Sequence, residues 1–141
     1  VHGNEPGHHI PYLYNWTSSP WKTQERVRMI LDTMYGPRED GLCGNDDAGQ
    51  MSAWYIFSAL GFYPVCPGSD RYEIGSPSVV SAAIGLGNGK ILKIRTTGQG
   101  KKNIYVQKVV LNGAELDRSY LLHSELASGG ELHFFLGDRI P

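Results

Sequence analysis

Two short polar clusters interrupt an otherwise apolar N-terminal half, and both carry residue types suited to proton transfer or cation binding. The first is Gly44-Asn45-Asp46-Asp47-Ala48-Gly49-Gln50, where two adjacent carboxylates stand at the mouth of a strongly apolar helix beginning near Gln50. The positive end of that helix points at the pair. Neighbouring carboxylates repel, and the resulting spread of proton affinities suits one of them for base work. The same residues also read as a helix start, with Asp47 followed three positions later by Gln50 in a capping-box pattern. Capping and catalysis are compatible. The second cluster is Gly3-Asn4-Glu5-Pro6, followed by His8-His9. Asn4 and Glu5 offer the hard oxygen donors that calcium selects, or the means for a loop to bond its own backbone. Adjacent histidines face different directions on a helix and cannot form an i, i+4 zinc pair, so His8 and His9 read as structural groups or as hydrogen-bonders to a sugar. Trp16, Trp21 and Trp54 could stack on sugar rings, although Trp54 in the middle of the apolar helix reads as core.

The elements that must position these clusters begin with a polar loop and a short helix. Ile10, Leu13 and Tyr14 keep helical spacing, with Pro11 in the first turn where its missing N–H costs nothing. Ser18-Ser19-Pro20 supplies a break and a restart, with Ser19 as N-cap and Pro20 at the first helical position. Val27, Ile30, Leu31 and Met34 then line one face of an amphipathic helix, while Lys22, Glu25, Arg26, Arg28 and Asp32 fall largely on the other. Gly36-Pro37 ends it. The next helix, Met51 to Leu60, is apolar on nearly every side and stops at Gly61. Such a helix must be buried all round, which calls for partner helices elsewhere.

After Phe62-Tyr63-Pro64 the period changes from 3.6 to 2. Strands are predicted at Tyr72 to Ile74, Val79 to Leu86, Lys90 to Thr96, Asn103 to Leu111, Tyr120 to His123 and Glu131 to Leu136. Asn88-Gly89 and Asn112-Gly113 suit type I′ turns. Leu92 and Ile94 alternate with Lys93 and Arg95, the mark of a sheet with one wet face. The fold class is therefore α+β: helices over residues 1–64, then an antiparallel β-sheet or small sandwich over 65–141.

The composition excludes several function classes. Among 141 residues, 40% are hydrophobic and 19% charged, and the net charge is -1. That balance gives no electrostatic argument for nucleic acid or a membrane surface. No apolar run approaches the roughly 18–20 residues of a membrane span. The opening Val1-His2-Gly3 has no methionine and suggests a fragment or a processed product. Cys43 and Cys66 are too few for a disulfide framework; they read as buried free thiols, with a bridge across the intervening helix as the alternative. The sequon Asn15-Trp16-Thr17 matters only in a eukaryotic secretory setting.

The clusters also carry a family resemblance. Gly3-Asn4-Glu5-Pro6 with His8 to Tyr14, Pro20-Trp21-Lys22-Thr23-Gln24, Gly41-Leu42, Gly44-Asn45-Asp46-Asp47, Gly49 to Tyr55, Leu60-Gly61-Phe62-Tyr63-Pro64 and Gly75-Ser76-Pro77 together resemble the C-terminal part of glycoside hydrolase family 92, the calcium-dependent α-mannosidases. The motifs are long and span nearly the whole chain. Departures are minor: Ala48 stands where cysteine is common, and Gly7 where serine is common. The resemblance implies an exo-acting, inverting α-mannosidase, α-1,2-specific in expectation, in which calcium (Ca2+) grips the vicinal hydroxyls of the terminal mannose. It implies Asp47 as general base, Asp46 as its supporting or alternative carboxylate, His2 as a substrate contact, and Asn4 with Glu5 on the calcium side. It implies that residues 1–64 are the last helices of an (α/α)6 barrel, that the general acid lies in an upstream part of the same protein, and that the fragment alone is inactive. The partner is then a mannose-containing glycan, in an extracellular or periplasmic setting. The alternatives are a non-catalytic carbohydrate-binding β-module with a helical appendage, and a structural interaction domain.

Overall fold

The computed structural model describes residues 2–141. The helical half opens with two 3-10 segments, Glu5–Gly7 and Ile10–Trp16. Helix α1 spans Trp21–Thr33. Its start differs from expectation in chemistry rather than place. The Ser19 side chain does not cap it; the Ser19 and Pro20 carbonyls accept from Lys22 and Thr23 N–H at 3.1 and 3.0 Å. Val27, Ile30 and Leu31 are buried as expected, but so is Arg28. Its guanidinium donates to the carbonyls of Pro77 at 3.0 Å and Gly100 at 3.2 Å, stitching α1 to the β half. Burial pulls its pKa below the usual arginine value, and these carbonyls are what make a buried cation tolerable.

Helix α2 spans Gln50–Leu60 between Gly49 and Gly61, both in the left-handed region at φ 95 and 107. Met51, Trp54, Ser58 and Ala59 are buried, whereas Tyr55 and Ile56 are 40% and 57% exposed. The expectation of all-round burial is thus met on one side of α2 among the described residues, and its other side is open.

The β half has two sheets rather than one. Strands β1 (Phe62–Tyr63), β2 (Arg71–Ile74) and β7 (Tyr120–Leu122) form a small antiparallel sheet in the order β1-β2-β7. The larger sheet runs β3-β4-β8-β5-β6, with β3 Ser81–Gly85, β4 Ile91–Thr97, β5 Tyr105–Leu111, β6 Ala114–Glu115 and β8 Gly130–Gly137. It is not wholly antiparallel, as the turn signals suggested. Strand β8 lies parallel to β4 and antiparallel to β5. The long excursion through β5, β6, β7 and helix α3 (His123–Ala127) gives the crossover that parallel pairing needs. The Asn112-Gly113 turn has both residues left-handed, as a type I′ turn requires. At Asn88-Gly89 only Gly89 has positive φ, and Leu86 N–H bonds Lys90 C=O around a three-residue loop.

Two cores result. The β core gathers Phe62, Ile74, Leu92, Ile94, Leu121, Leu132 and Phe134 among others; the helical core gathers Tyr12, Val27, Ile30, Leu31, Trp54 and Tyr63. Alternation along β1 sends Phe62 into one and Tyr63 into the other. Asn15 ties the halves further. Its amide donates to Glu73 Oε2 at 3.1 Å and to the carbonyls of Ile74 and Ser119 at 2.9 and 3.2 Å. Glu73 is fully buried and ion-paired to Arg71 at 2.9 Å. The two cysteines are free and exposed, not buried, because Cys43 lies in the surface loop ahead of α2 and Cys66 in the one behind it.

Candidate functional site

The two polar clusters meet through glycine. A Cβ on Gly3 would lie 2.5 Å from the Cys43 carbonyl oxygen, and one on Gly44 would collide with the Gly3 carbonyl. Bare backbones at both positions let the loop before α2 lie directly on the N-terminal loop. Upstream, Gly36 N–H bonds Gly41 C=O at 2.8 Å and Tyr35 bridges Leu42, closing the loop at its base.

From Gly44 the chain enters α2 through three consecutive left-handed residues, Asp47 at φ 46, Ala48 at φ 56 and Gly49 at φ 95. Left-handed backbone is costly for residues with a Cβ, by about 1–2 kcal/mol each, and such strain gathers at functional sites. Asp46 is what holds this turn. Its Oδ1 accepts from Ser52 N–H at 3.0 Å and Ser52 hydroxyl at 2.9 Å, and its carbonyl accepts from Gly49 and Met51 N–H. The capping carboxylate is therefore Asp46, and the Asp47–Gln50 capping box does not form. Asp47 is left exposed. The nearby Glu5 carboxyl, with which it can share a proton, raises the Asp47 pKa above the usual carboxylate value, with smaller contributions from desolvation and from the charges of Glu5 and Asp46; His8 opposes the shift.

Gln50, released from capping, turns inward. Its amide donates to His8 Nδ1 at 3.1 Å and to the Tyr63 hydroxyl at 3.0 Å. Acceptance at Nδ1 leaves the His8 proton on Nε2, which donates to the His2 carbonyl at 3.1 Å and touches Met51 Sδ at 3.2 Å. His8 is buried, and burial lowers its pKa. Trp54 Nε1 donates to the His8 carbonyl at 3.0 Å. The two rims are thus bound together beneath the surface as well as at it.

His2 is buried against the His8 and Trp54 rings, 4.8 and 4.2 Å away. Tyr35 hydroxyl donates to Met51 C=O at 3.1 Å and so receives the His2 Nε2 proton at 2.8 Å. His2 Nδ1 is an acceptor with no partner among the described residues. Desolvation, then the charge of His8, pushes the His2 pKa down to about 4. The ring is neutral at ordinary pH. His2 borders a cleft of about 560 Å³ with Tyr35, Arg38 and Cys43; a second cleft of about 520 Å³ lies by Glu5, His9, Gln50, Phe57 and Tyr63.

Asn4 and Glu5 are exposed at the start of the Glu5–Gly7 turn, where their carbonyls accept from Gly7 and His8 N–H. Glu5 and Asp47 form a crowded pair of hard anionic donors that a cation would relieve, and this fits calcium by type. It does not fit by number: among the described residues no three His, Cys, Asp or Glu side chains converge as a metal site. Trp54 is fully buried, as expected, whereas Trp16 is 52% exposed. The sequence motifs contained Gln50 and Tyr63 but not their roles, which depend on pairings across the chain. A glycine at the head of each polar cluster, Gly3 and Gly44, was the available signal for the close approach.

A model of the glycosyl hydrolase family 92 catalytic domain matches residues 1–138. The chain belongs to glycosyl hydrolase family 92. Among solved family 92 proteins, it is similar to the α-mannosidase BT3965 from Bacteroides thetaiotaomicron in complex with mannoimidazole, at 44% identity and a TM-score of 0.96, over 99% of this chain and 18% of that one. It is likewise similar to the family 92 inverting mannosidase BT2199 from the same organism, at 44% identity and a TM-score of 0.90, over 99% of this chain and 19% of that one. A curated relative, an uncharacterized secreted glycosidase of Arthroderma benhamiae, is 30% identical over 96% of this chain and 18% of its own length. The chain thus spans about a fifth of the family 92 relatives it matches. No described helix is long and apolar enough to cross a membrane.

Proposed function

We propose that these residues are the C-terminal part of a secreted, exo-acting, inverting α-mannosidase that removes terminal α-1,2-linked mannose from glycans with calcium bound. On this reading the upstream polypeptide completes an (α/α)6 barrel around α1 and α2, and supplies the general acid. The observation that carries it is the division of labour at the helix mouth: Asp46 is spent on Ser52, while Asp47 is exposed and held by left-handed backbone.

An inverting hydrolase needs a base that takes a proton from water as that water attacks the sugar's anomeric carbon, with the acid about 6.5–9.5 Å away. On this reading Asp47 accepts that proton. Asp46 sets the angle at which Asp47 is presented, and Asn4 and Glu5 would contribute part of a calcium shell whose remaining ligands come from elsewhere. When bound there, calcium would supply a hard positive charge for vicinal sugar hydroxyls. The position of His2 on the border of the larger cleft supports the substrate-contact role. The similarity to an α-mannosidase and an inverting mannosidase supports the substrate class, and the secreted relative supports the export. A carbohydrate-binding β-module is less favoured, because His133 and Phe135 on the outer sheet face stack on each other at 4.0 Å with Lys108 over the Phe135 ring.

The test is Asp47→Asn in the full-length protein, assayed on α-1,2-mannobiose with calcium present and after chelation. Loss of about 10²–10⁴-fold in kcat at unchanged folding is expected for a general base, with β-mannose as the first product of the wild type. Turnover within a few-fold of wild type removes Asp47 from the mechanism.

A further inference from the structure

The five-stranded sheet has one edge that is unlike every other strand edge in the described residues. Strand β3 pairs with β4 on one side only, over five uninterrupted pairs from Ser81↔Arg95 to Gly85↔Ile91. Val80 C=O accepts from Thr96 N–H, and Leu86 N–H donates to Lys90 C=O. Even-numbered positions therefore face β4, and the N–H and C=O groups of Ser81, Ala83 and Gly85 face outward. Soluble proteins guard such an edge with charge, proline, a bulge, shortness or a covering element. None of these is present at β3. No charged residue occurs from 74 to 89 and no proline from 78 to 89. Val80 and Ile91 beside the edge are 66% and 53% exposed. Open space lies where a Gly85 or Gly87 side chain would be.

The opposite edge is guarded several times over. Strand β6 has two residues, the β5–β8 ladder slips between Val106 and Lys108, Gln24 of α1 takes the Val106 N–H at 2.9 Å, and Lys108 pairs with Glu115 at 3.7 Å. β1 and β7, at the edges of the small sheet, have two and three residues.

We infer that the outer edge of β3 receives a sixth strand, an extended segment of about five residues from the same polypeptide outside residues 1–141. This rests on the reading that the protein extends upstream; its family 92 relatives are far longer, this chain spanning 18–19% of them. A second copy of the chain is the poorer occupant, because five residues paired edge to edge bury far less than the roughly 1,200 Å² of a stable interface. The small side chains at 81, 83 and 85 leave room for bulky neighbours on the added strand.

Hydrogen exchange of the full-length protein, resolved to single amides by fragmentation, decides it. The amides of Ser81, Ala83 and Gly85 should be protected at least ~100-fold, as in a paired strand, at every protein concentration. Exchange at the solvent rate overturns the inference, and so does protection that disappears on dilution, which identifies a second copy. Ala83→Pro removes one outward N–H without touching the β4 ladder. It should release protection at Ser81 and Gly85 and expose the added segment to protease, with β4 and β8 unchanged; intact protection in this variant overturns the inference. Full-length protein that hydrolyses mannosides yet shows an unprotected edge sinks the sixth strand alone. A mature protein of only these residues sinks the upstream reading as well.

Discussion

The helical and β cores are built on different plans. Around Trp54 the buried groups are rings joined by hydrogen bonds: His2 to Tyr35, His8 to Gln50, Gln50 to Tyr63, and Tyr12 to Ser58 at 2.7 Å. Around Phe134 the cluster is almost wholly aliphatic. A dry core of branched side chains is specified by volume and tolerates swaps that conserve it. A networked core is specified by direction, because each donor left unpaired carries its own desolvation penalty. The region that borders the candidate site is the directional one. This is how a surface carboxylate acquires a fixed partner.

The largest test of that contrast is Phe134→Ala. It should cost about 3–5 kcal/mol by opening a cavity in the dry core, seen as a lower denaturant midpoint, while the Glu5–Asp47 contact survives in whatever remains folded. Gly44→Ala should cost somewhat less, about 2–3 kcal/mol from forced backbone movement, but should separate Glu5 from Asp47 and return the Asp47 pKa toward the ordinary value by NMR titration. Gln50→Ala strips His8 and Tyr63 of their shared donor, for about 1–2 kcal/mol; a thermal midpoint equal to wild type would show that the network is not structural. Asp46→Ala should cost about 1 kcal/mol as a lost cap, and Asp46→Asn should restore most of it.

The smallest effect is a pH slope. Burial raises the pKa of Glu73, against the hydrogen bond from Asn15 and the charge of Arg71. The folded state then holds its proton more tightly than the unfolded state does. Stability is greatest at and below the ordinary glutamate range and falls as pH rises through the folded pKa. Glu73→Gln should flatten that slope; an unchanged slope in denaturation between acidic and neutral pH would assign it to another group.

Much of this was legible because periodicity and turn chemistry are local. The starts of α2 and the hairpin at Asn112-Gly113 follow from residues within a few positions of each other. What escaped depends on remote partners. Arg28 reads as a solvated face until Pro77 and Gly100 are placed over it, and β8 reads as another antiparallel strand until it is seen to enter between β4 and β5. At the site, spacing named Asp46 and Asp47 but assigned the cap to the wrong one. A capping box assumes ordinary backbone ahead of the helix, and the left-handed run through Asp47, Ala48 and Gly49 turns Asp47 away.

Asn15 shows how much one buried amide can restrict the making of the protein. Its nitrogen is already shared among three oxygens of the β half, so an oligosaccharide added there would displace all three and hold the two halves apart. Sugar transfer in eukaryotic secretion acts on the nascent chain before these oxygens arrive. A yeast or insect host would then deliver misfolded product wherever this triplet is modified, and Thr17→Ala, which spares Asn15 itself, is the remedy.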